Sequence, residues 1–303
     1  MARAQAYPTK PIKIMVGFTP GGLPDITARL IAQRLGESWK QSVTVENRPG
    51  AGGNIAAQAV ASAPPDGYTL LSITSAHTIA PAIYPKLPFD TLKDFAGVTM
   101  TGTGPCLLIV APDLPAKTVA ELIALARAKP GSLNFSSAGI GSGTHFAAEA
   151  FKAQTGIDVV HVPMKGIPEA IGEVMAGRVQ FFMAPFATAI NLVKEGRVRA
   201  IAVTSPARMS ETPNIPTVSE SGAPGYKWAI WSALLVASKT PRPVITELNR
   251  EIVRILKLPE TGQRLQPLGT EASPSTPEEL DKLIAEEVAT YTRMARAANI
   301  KVE

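Results

Sequence analysis

Two stretches of this 303-residue chain gather glycines and hydroxyls where a strand should empty into a helix. The first is Ile12-Lys-Ile-Met-Val-Gly-Phe-Thr-Pro-Gly-Gly-Leu-Pro-Asp25, and the second is Leu133-Asn-Phe-Ser-Ser-Ala-Gly-Ile-Gly-Ser-Gly-Thr-His145. The first N–H groups of a helix have no intrahelical acceptor and carry partial positive charge, so they favour anions. Glycine lets that backbone approach a ligand closely. The chemistry on offer is capture of a small carboxylate. In the first loop Asp25 is expected to cap the helix while Thr19, Gly21 and Gly22 face a ligand. In the second, every residue from Ser136 to Thr144 except Ile140 is small or hydroxylated, which is more than a helix cap requires.

Covalent chemistry fits less well. A nucleophile elbow needs Gly-x-Ser-x-Gly, but Ile140 and Thr144 stand at the glycine positions around Ser142. Ser142 with His145 is at most half of a hydrolase site, because no third partner is evident. No phosphate-binding Gly-x-x-x-x-Gly-Lys-Ser/Thr occurs. Gly50-Ala-Gly-Gly-Asn-Ile55 resembles a dinucleotide fingerprint, but it lacks the third glycine and follows a turn. His77, His145, His161 and Cys106 have no metal-ligand spacing, so neither a metal nor a cofactor is expected. The net charge of +5 is scattered rather than clustered, which argues against nucleic acid and for a mild field favouring anions.

The elements that must position these loops alternate along the chain. Strands are expected at Ile12–Phe18, Val43–Glu46 and Tyr68–Thr74, with helices at Ile26–Ser38 and Asn54–Ala63 between them. This βαβαβ order implies a parallel sheet flanked by helices. Extended runs at Val98–Met100 and Leu107–Ala111 lead into a second lobe. There the pattern repeats: helix Val119–Ala128 behind its cap Thr118, strand Asn134–Ser136, helix Thr144–Gln154, strand Asp158–Val162, helix Glu169–Ala176, strand Val179–Met183, helix Ala187–Glu195 and strand Val198–Val203. Strand Trp231–Ala237 returns the chain. Helices Pro243–Leu256, Glu260–Gln266 and Pro277–Ala298 complete the first lobe. The reading is an α/β protein of two lobes, residues 1–100 with 230–303 and residues 101–229, with a ligand cleft between them. Both glycine loops fall beyond the carboxyl ends of strands, where open α/β sheets bind ligands. No apolar run is long enough to cross a membrane. Ala4-Gln-Ala6 reads as the small-residue end of an export signal with Met1 standing in place of the leader, or as an ordinary frayed terminus.

These residues together resemble the receptors of the tripartite tricarboxylate transporter class, the Bug family of periplasmic solute-binding proteins. The resemblance rests on Tyr7-Pro-Thr-Lys-Pro-Ile12, Val16-Gly-Phe-Thr-Pro-Gly-Gly22 with Asp25 and Ala28-Arg29, and Val45-Glu-Asn-Arg-Pro-Gly-Ala-Gly-Gly53. It continues through Pro65-Asp-Gly-Tyr-Thr-Leu70, Ser137-Ala-Gly-Ile-Gly141 with His145, Val162-Pro163 with Lys165-Gly166, Ala202-Val-Thr204 and Pro216-Thr217. It implies a type II periplasmic-binding-protein fold, each lobe a mainly parallel sheet flanked by helices, closing like a flytrap on a carboxylate. It further implies a non-enzymatic, periplasmic monomer that hands its ligand to the membrane components of a transporter. Both loops would grip the ligand, which assigns Phe18, Thr19, Gly21, Gly22 and Leu23 on one side. On the other it assigns Ser137, Ala138, Gly139, Gly141, Ser142, Thr144 and His145. The loop after the third strand adds Ser75 and His77.

Two departures from the family pattern bear on the ligand. Met164 replaces a tyrosine usual in Pro-Tyr-Lys-Gly, and Ala184 stands where an acidic residue often ends the later strand. Both changes remove polar groups and point to a ligand with an apolar body, such as the aromatic diacid terephthalate, packed by Met164 with Phe182, Phe186 or Trp231. An aliphatic dicarboxylate is the alternative. A sensor that signals to a membrane partner is another reading from a different class, and a hydrolase built on Ser142 and His145 is a third.

Overall fold

A computed structural model describes residues 7–300. The export-signal reading at Ala4–Ala6 lies outside the described residues. The chain divides into two compact units. One holds the chain through Gly102, Trp231–Arg264 and the chain from Ala272 onward; the other holds Thr103–Ile230 and Leu265–Glu271.

The first unit opens with β1 (Ile12–Val16), α1 (Leu23–Trp39), β2 (Val43–Asn47), α2 (Asn54–Ala61), β3 (Thr69–Thr74) and α3 (Ser75–Ile83). β4 (Phe95–Val110) then carries the chain into the second unit. That unit contains α4 (Val119–Ala128), β5 (Asn134–Ser137), α5 (Gly143–Thr155), β6 (Val160–Pro163), α6 (Ile167–Met175), β7 (Phe181–Pro185), α7 (Phe186–Lys194) and β8 (Arg199–Val203). β9 (Ala229–Ala237) returns to the first unit, where α8 (Arg242–Leu256), α9 (Pro259–Leu265) and α10 (Pro277–Ala297) follow. Among the described residues no helix is long and apolar enough to cross a membrane.

In the first unit β1 pairs in parallel with β2 and β3, and β9 joins β3 antiparallel. In the second, β5 pairs in parallel with β6 and β7, while β4 runs antiparallel to β7 and β8. The sheets are thus parallel where βαβ crossovers build them and antiparallel where β4 or β9 enters. The expectation of mainly parallel sheets flanked by helices is met with this refinement. The core of the first unit joins Met15, Leu71 and Ile73 from the early strands to Leu280 and Ile284 of α10. α10 starts sharply because Thr276 and Glu279 form a reciprocal capping box and Pro277 occupies its first position. In the second unit, alternation along β7 sends Phe182 and Ala184 into a cluster with Val174 and Ile190. Phe181, on the opposite face, stacks on Phe135 with ring centroids 5.6 Å apart.

The structure moves several boundaries. α1 begins at Leu23 and not Ile26, because Pro24 is comfortable in a first turn; Gly22 occupies the cap position without a side-chain bond. Asp25 is therefore the third residue of the helix and not its cap. The expected extended runs at Val98–Met100 and Leu107–Ala111 are parts of one strand, β4. The segment after β3, read as a loop, enters α3 at Ser75 at once, with Thr74 Oγ1 accepting from Ala76 N–H at 3.3 Å. β7 starts two residues later than expected, at Phe181.

Candidate functional site

Within each unit the parallel strands bring several helix starts to one edge. In the first unit, β1 and β3 are adjacent and parallel, so the β1–α1 loop and the start of α3 lie at the same carboxyl ends. In the second, Ser137 pairs with Pro163 and Ser136 with Phe182, which places the starts of α5, α6 and α7 along one edge. Each edge is a row of helix N-termini, a physical setting for an anion.

The β1–α1 loop is held by a carboxylate. Asp25, buried in the first turn, accepts from the Gly21 N–H at 2.9 Å, from Arg29 Nε at 3.0 Å and from Asn47 Nδ2 at 2.9 Å. Burial alone would push the Asp25 carboxyl up; the bonds from Arg29, Gly21 and Asn47 outweigh it and hold the group below the usual carboxylate range. Asn47 also donates to the Phe18 carbonyl at 3.0 Å and accepts from Arg29 Nη2 at 2.8 Å. Gly17, just upstream, approaches Gly53 so closely that a Cβ on it would stand 2.6 Å from the Gly53 Cα. The Asn47–Gly53 turn is thus a buttress for this loop. Sequence reasoning quoted Asn47 and Arg29 in motifs without giving them a role. The register of β2 on β1, which sets Asn47 opposite Val16, is the signal that finds Asn47.

The β5–α5 loop is held by neutral groups. Ser142 caps α5, its Oγ accepting from the His145 N–H at 3.2 Å and lying 2.9 Å from Thr144 Oγ1. Thr144 Oγ1 accepts from the Ala138 N–H at 3.0 Å. Ser137 Oγ accepts from the Gly139 N–H at 3.1 Å and lies 2.7 Å from His161 Nε2. His145 Nδ1 accepts from the Gly141 N–H at 3.2 Å, so its proton is on Nε2, which points to Glu149 at 3.8 Å. The imidazoles of His145 and His161 stack at 3.9 Å with 12° between their planes, and His161 lies 4.8 Å from the parallel ring of Phe135. Burial pushes both imidazoles down, His145 to about 3 and His161 to about 4, helped for His145 by its histidine neighbour and for both by Lys152. Both rings are neutral at pH 7. Gly139 takes φ +117°, and a Cβ there would meet the Met164 carbonyl at 3.2 Å, so this turn needs glycine.

Placed in this way, the expected residues separate. Phe18, Thr19, Gly21, Gly22 and Leu23 form one loop, and Ser137, Ala138, Gly139, Gly141, Ser142, Thr144 and His145 form the other. The N–H groups of Ala138, Gly139 and Gly141 are engaged by Thr144, Ser137 and His145, which leaves the N–H groups of Gly143 and Thr144 as the open start of α5. Met164 joins the same edge, its N–H donating to the Ser137 carbonyl at 3.1 Å.

The other expected residues are buried. His77 turns into the core of the first unit, against Phe89 and Phe95, with its Nε2 buried and unpartnered; burial pushes it down to about 4. Ser75 is fully buried at the start of α3, its hydroxyl also without a partner. Ala184 has no exposed surface and packs with Leu107 and Phe182, because its place on β7 faces the second unit's core. Phe182 and Phe186 belong to that same core. Trp231 packs in the first unit's core and donates to Glu287 Oε1 at 2.9 Å. All three aromatic rings expected on the ligand are buried. Lys165 is exposed.

The hydrolase reading fails on geometry. The Ser142 hydroxyl meets Thr144 Oγ1 and the backbone of His145, while the His145 imidazole takes the Gly141 N–H. A nucleophile and its base must share a hydrogen bond, and these two do not. No group of three or more potential metal ligands occurs among the described residues.

Comparison with known proteins identifies the family. Residues 27–300 match the model of the tripartite tricarboxylate transporter family receptor. The chain is 32% identical to Protein BugT of Bordetella pertussis over 302 residues, covering 99% of this chain and 93% of BugT. Its fold is similar to Rpa4515 of R. palustris solved with adipate, with a TM-score of 0.92, 33% identity and coverage of 98% of this chain and 100% of that one. It is also similar to MatC of Rhodopseudomonas palustris with bound malate, with a TM-score of 0.86, 30% identity and coverage of 95% and 99%. The chain belongs to the tripartite tricarboxylate transporter receptor family, whose members are solute-binding receptors and not enzymes.

Proposed function

We propose that this receptor binds a small carboxylate with an apolar body in the periplasm and delivers it to the membrane components of a tripartite tricarboxylate-type transporter. One observation carries the proposal. The β5–α5 loop has its own polar groups satisfied by neutral partners, while the first N–H groups of α5, Gly143 and Thr144, stay open. A carboxylate supplies the acceptors that such a helix start lacks. The lysine on this edge, Lys165, is solvated, so capture rests on N–H dipoles.

For the body of the ligand, we favour an aliphatic dicarboxylate over terephthalate. Phe182, Phe186 and Trp231 are committed to the cores of their units, which leaves Met164 as the apolar contact among the residues named for that role. The relatives solved with adipate and malate support the same preference. A thermal-shift panel of adipate, malate, terephthalate and benzoate, each beside its neutral amide, tests both levels. A ligand at a hundred times its Kd adds about 2.7 kcal/mol of stability. Shifts with diacids but not amides are expected. A shift with terephthalate and none with adipate or malate would restore the aromatic ligand. Equal shifts with acids and amides would overturn anion capture. The sensor reading has no observation in its favour.

A further inference from the structure

The proposed carboxylate site places no ligand contact on His161, yet this side chain occupies the centre of the loop's support. It comes from β6, directly across the ladder from Phe135. Its Nε2 lies 2.7 Å from Ser137 Oγ, and that same oxygen accepts the Gly139 N–H. Its ring face lies 3.9 Å from the ring of His145, whose Nδ1 accepts the Gly141 N–H. Two glycine amides of the loop are therefore fixed by imidazoles, one directly and one through a serine.

Ser137 has one hydroxyl proton and two acceptors for it, the Gly139 carbonyl at 3.1 Å and His161 Nε2 at 2.7 Å. Donation to His161 is the shorter bond and leaves the serine lone pairs turned to Gly139 N–H. Parallel stacking between His161, Phe135 and His145 restrains the second imidazole, and with it the Gly141 peptide. We infer that His161 is a positioning residue of the carboxylate site. It acts through Ser137 and His145 to orient the Gly139 and Gly141 peptides, so that the N–H groups at the start of α5 face an incoming carboxylate. This inference rests on the function proposed above, in that the loop binds the anion.

The pair of variants that tests it is His161→Phe, which keeps the ring stack and removes the bond to Ser137, and His161→Gln, which restores a polar partner for Ser137. Nuclear magnetic resonance of the free protein gives a reading independent of any ligand. In His161→Phe the Gly139 and Gly141 amide signals should shift and exchange faster with solvent, and in His161→Gln the Gly139 signal should return toward its original position. With adipate as the probe, His161→Phe should weaken Kd about fivefold, the equivalent of one hydrogen bond, and His161→Gln should recover most of it. A purely structural role would lower the melting temperature of both variants and leave Kd unchanged. Unmoved glycine amides in His161→Phe, or wild-type affinity for adipate, would overturn the inference. If the wild-type protein binds no carboxylate of the panel, the proposed function fails, and the amide signals alone decide whether His161 orients the loop.

Discussion

The β1–α1 and β5–α5 loops look alike as sequence and are built on opposite principles. The first is organised around an ion: Asp25 sits inside the helix's first turn and gathers Gly21, Arg29 and Asn47. The second is organised by hydroxyls and neutral imidazoles, with Ser142 as the cap. The difference matters for an anion. In the first loop a negative charge already occupies the positive end of the helix, and Arg29 offsets it from a half-exposed position. In the second loop the helix end is capped without any charge, so its field remains available to a ligand. Under the proposed function, glycine content gives both loops access, and the charge state of the anchor sets which one attracts the carboxylate more strongly.

The largest expected effect comes from the support of the neutral loop. Phe135 is fully buried between the histidine stack and Phe181, and Phe135→Ala should cost about 3–5 kcal/mol in urea denaturation. A cost below about 1 kcal/mol would mean that the stack does not support the loop.

Acid should separate the two anchors next. His77, His145 and His161 all have folded values lowered from 6.5, to about 4, 3 and 4. As pH falls below 6.5 the unfolded chain takes up protons that the folded chain refuses, so stability declines from there toward pH 4. Asp25, held below 3.8, stays ionised across that window and keeps contributing. With each unit of separation worth about 1.4 kcal/mol, each of the three imidazoles should account for roughly 2 kcal/mol of loss between pH 7 and pH 5. Denaturation at the two pH values measures it; a flat profile would show that the imidazoles are not buried as neutral groups. The variant His77→Phe should remove that imidazole's share of the slope and leave the share of His145 and His161.

Asp25→Asn tests the ionic anchor directly and should cost about 2 kcal/mol, since hydrogen bonds to a charged group are lost. If the same change strengthens adipate binding, the competing charge in the first loop is confirmed as the difference between the loops. Ser142→Ala removes the neutral cap and should cost about 1 kcal/mol, visible as a small drop in melting temperature. The smallest effect is expected for Lys165→Gln, within about 0.5 kcal/mol of the wild-type stability. Its adipate affinity should be unchanged, and a tenfold loss would replace dipole capture by a cation.

Much of this was legible from residue order. Hydrophobic alternation and glycine punctuation located both loops and most of the elements around them, because strands and helices impose different periods on the same chain. Thr118 was readable as a cap since its role is local. What stayed hidden depends on contacts distant in sequence. The apolar stretch after Thr74 contains Pro81 and gives no clear helical signal, yet α3 forms because it packs against α10, with Thr78 bonded to Glu287 at 2.8 Å. His77 and Ala184 read as edge residues, but the direction in which each points is set by its register in the element. Asn47 and His161 acquire their roles from neighbouring strands, to which sequence spacing alone is blind.

The first unit is assembled from the beginning and the end of the chain, with Met15 and Leu71 closing on Leu280 and Ile284. The second is drawn mostly from one continuous stretch, Thr103–Ile230. This arrangement sets an order of assembly. As the chain emerges from a ribosome or a translocation channel, the second unit has nearly all its residues present while the first still lacks α8 and α10. The early strands must wait, with their apolar faces uncovered, until about two hundred further residues have followed. A nascent chain of this design has its longest exposure to chaperones and proteases on the segment that carries the β1–α1 loop. Moving the termini so that α10 directly precedes β1 would shorten that wait without altering a single side chain.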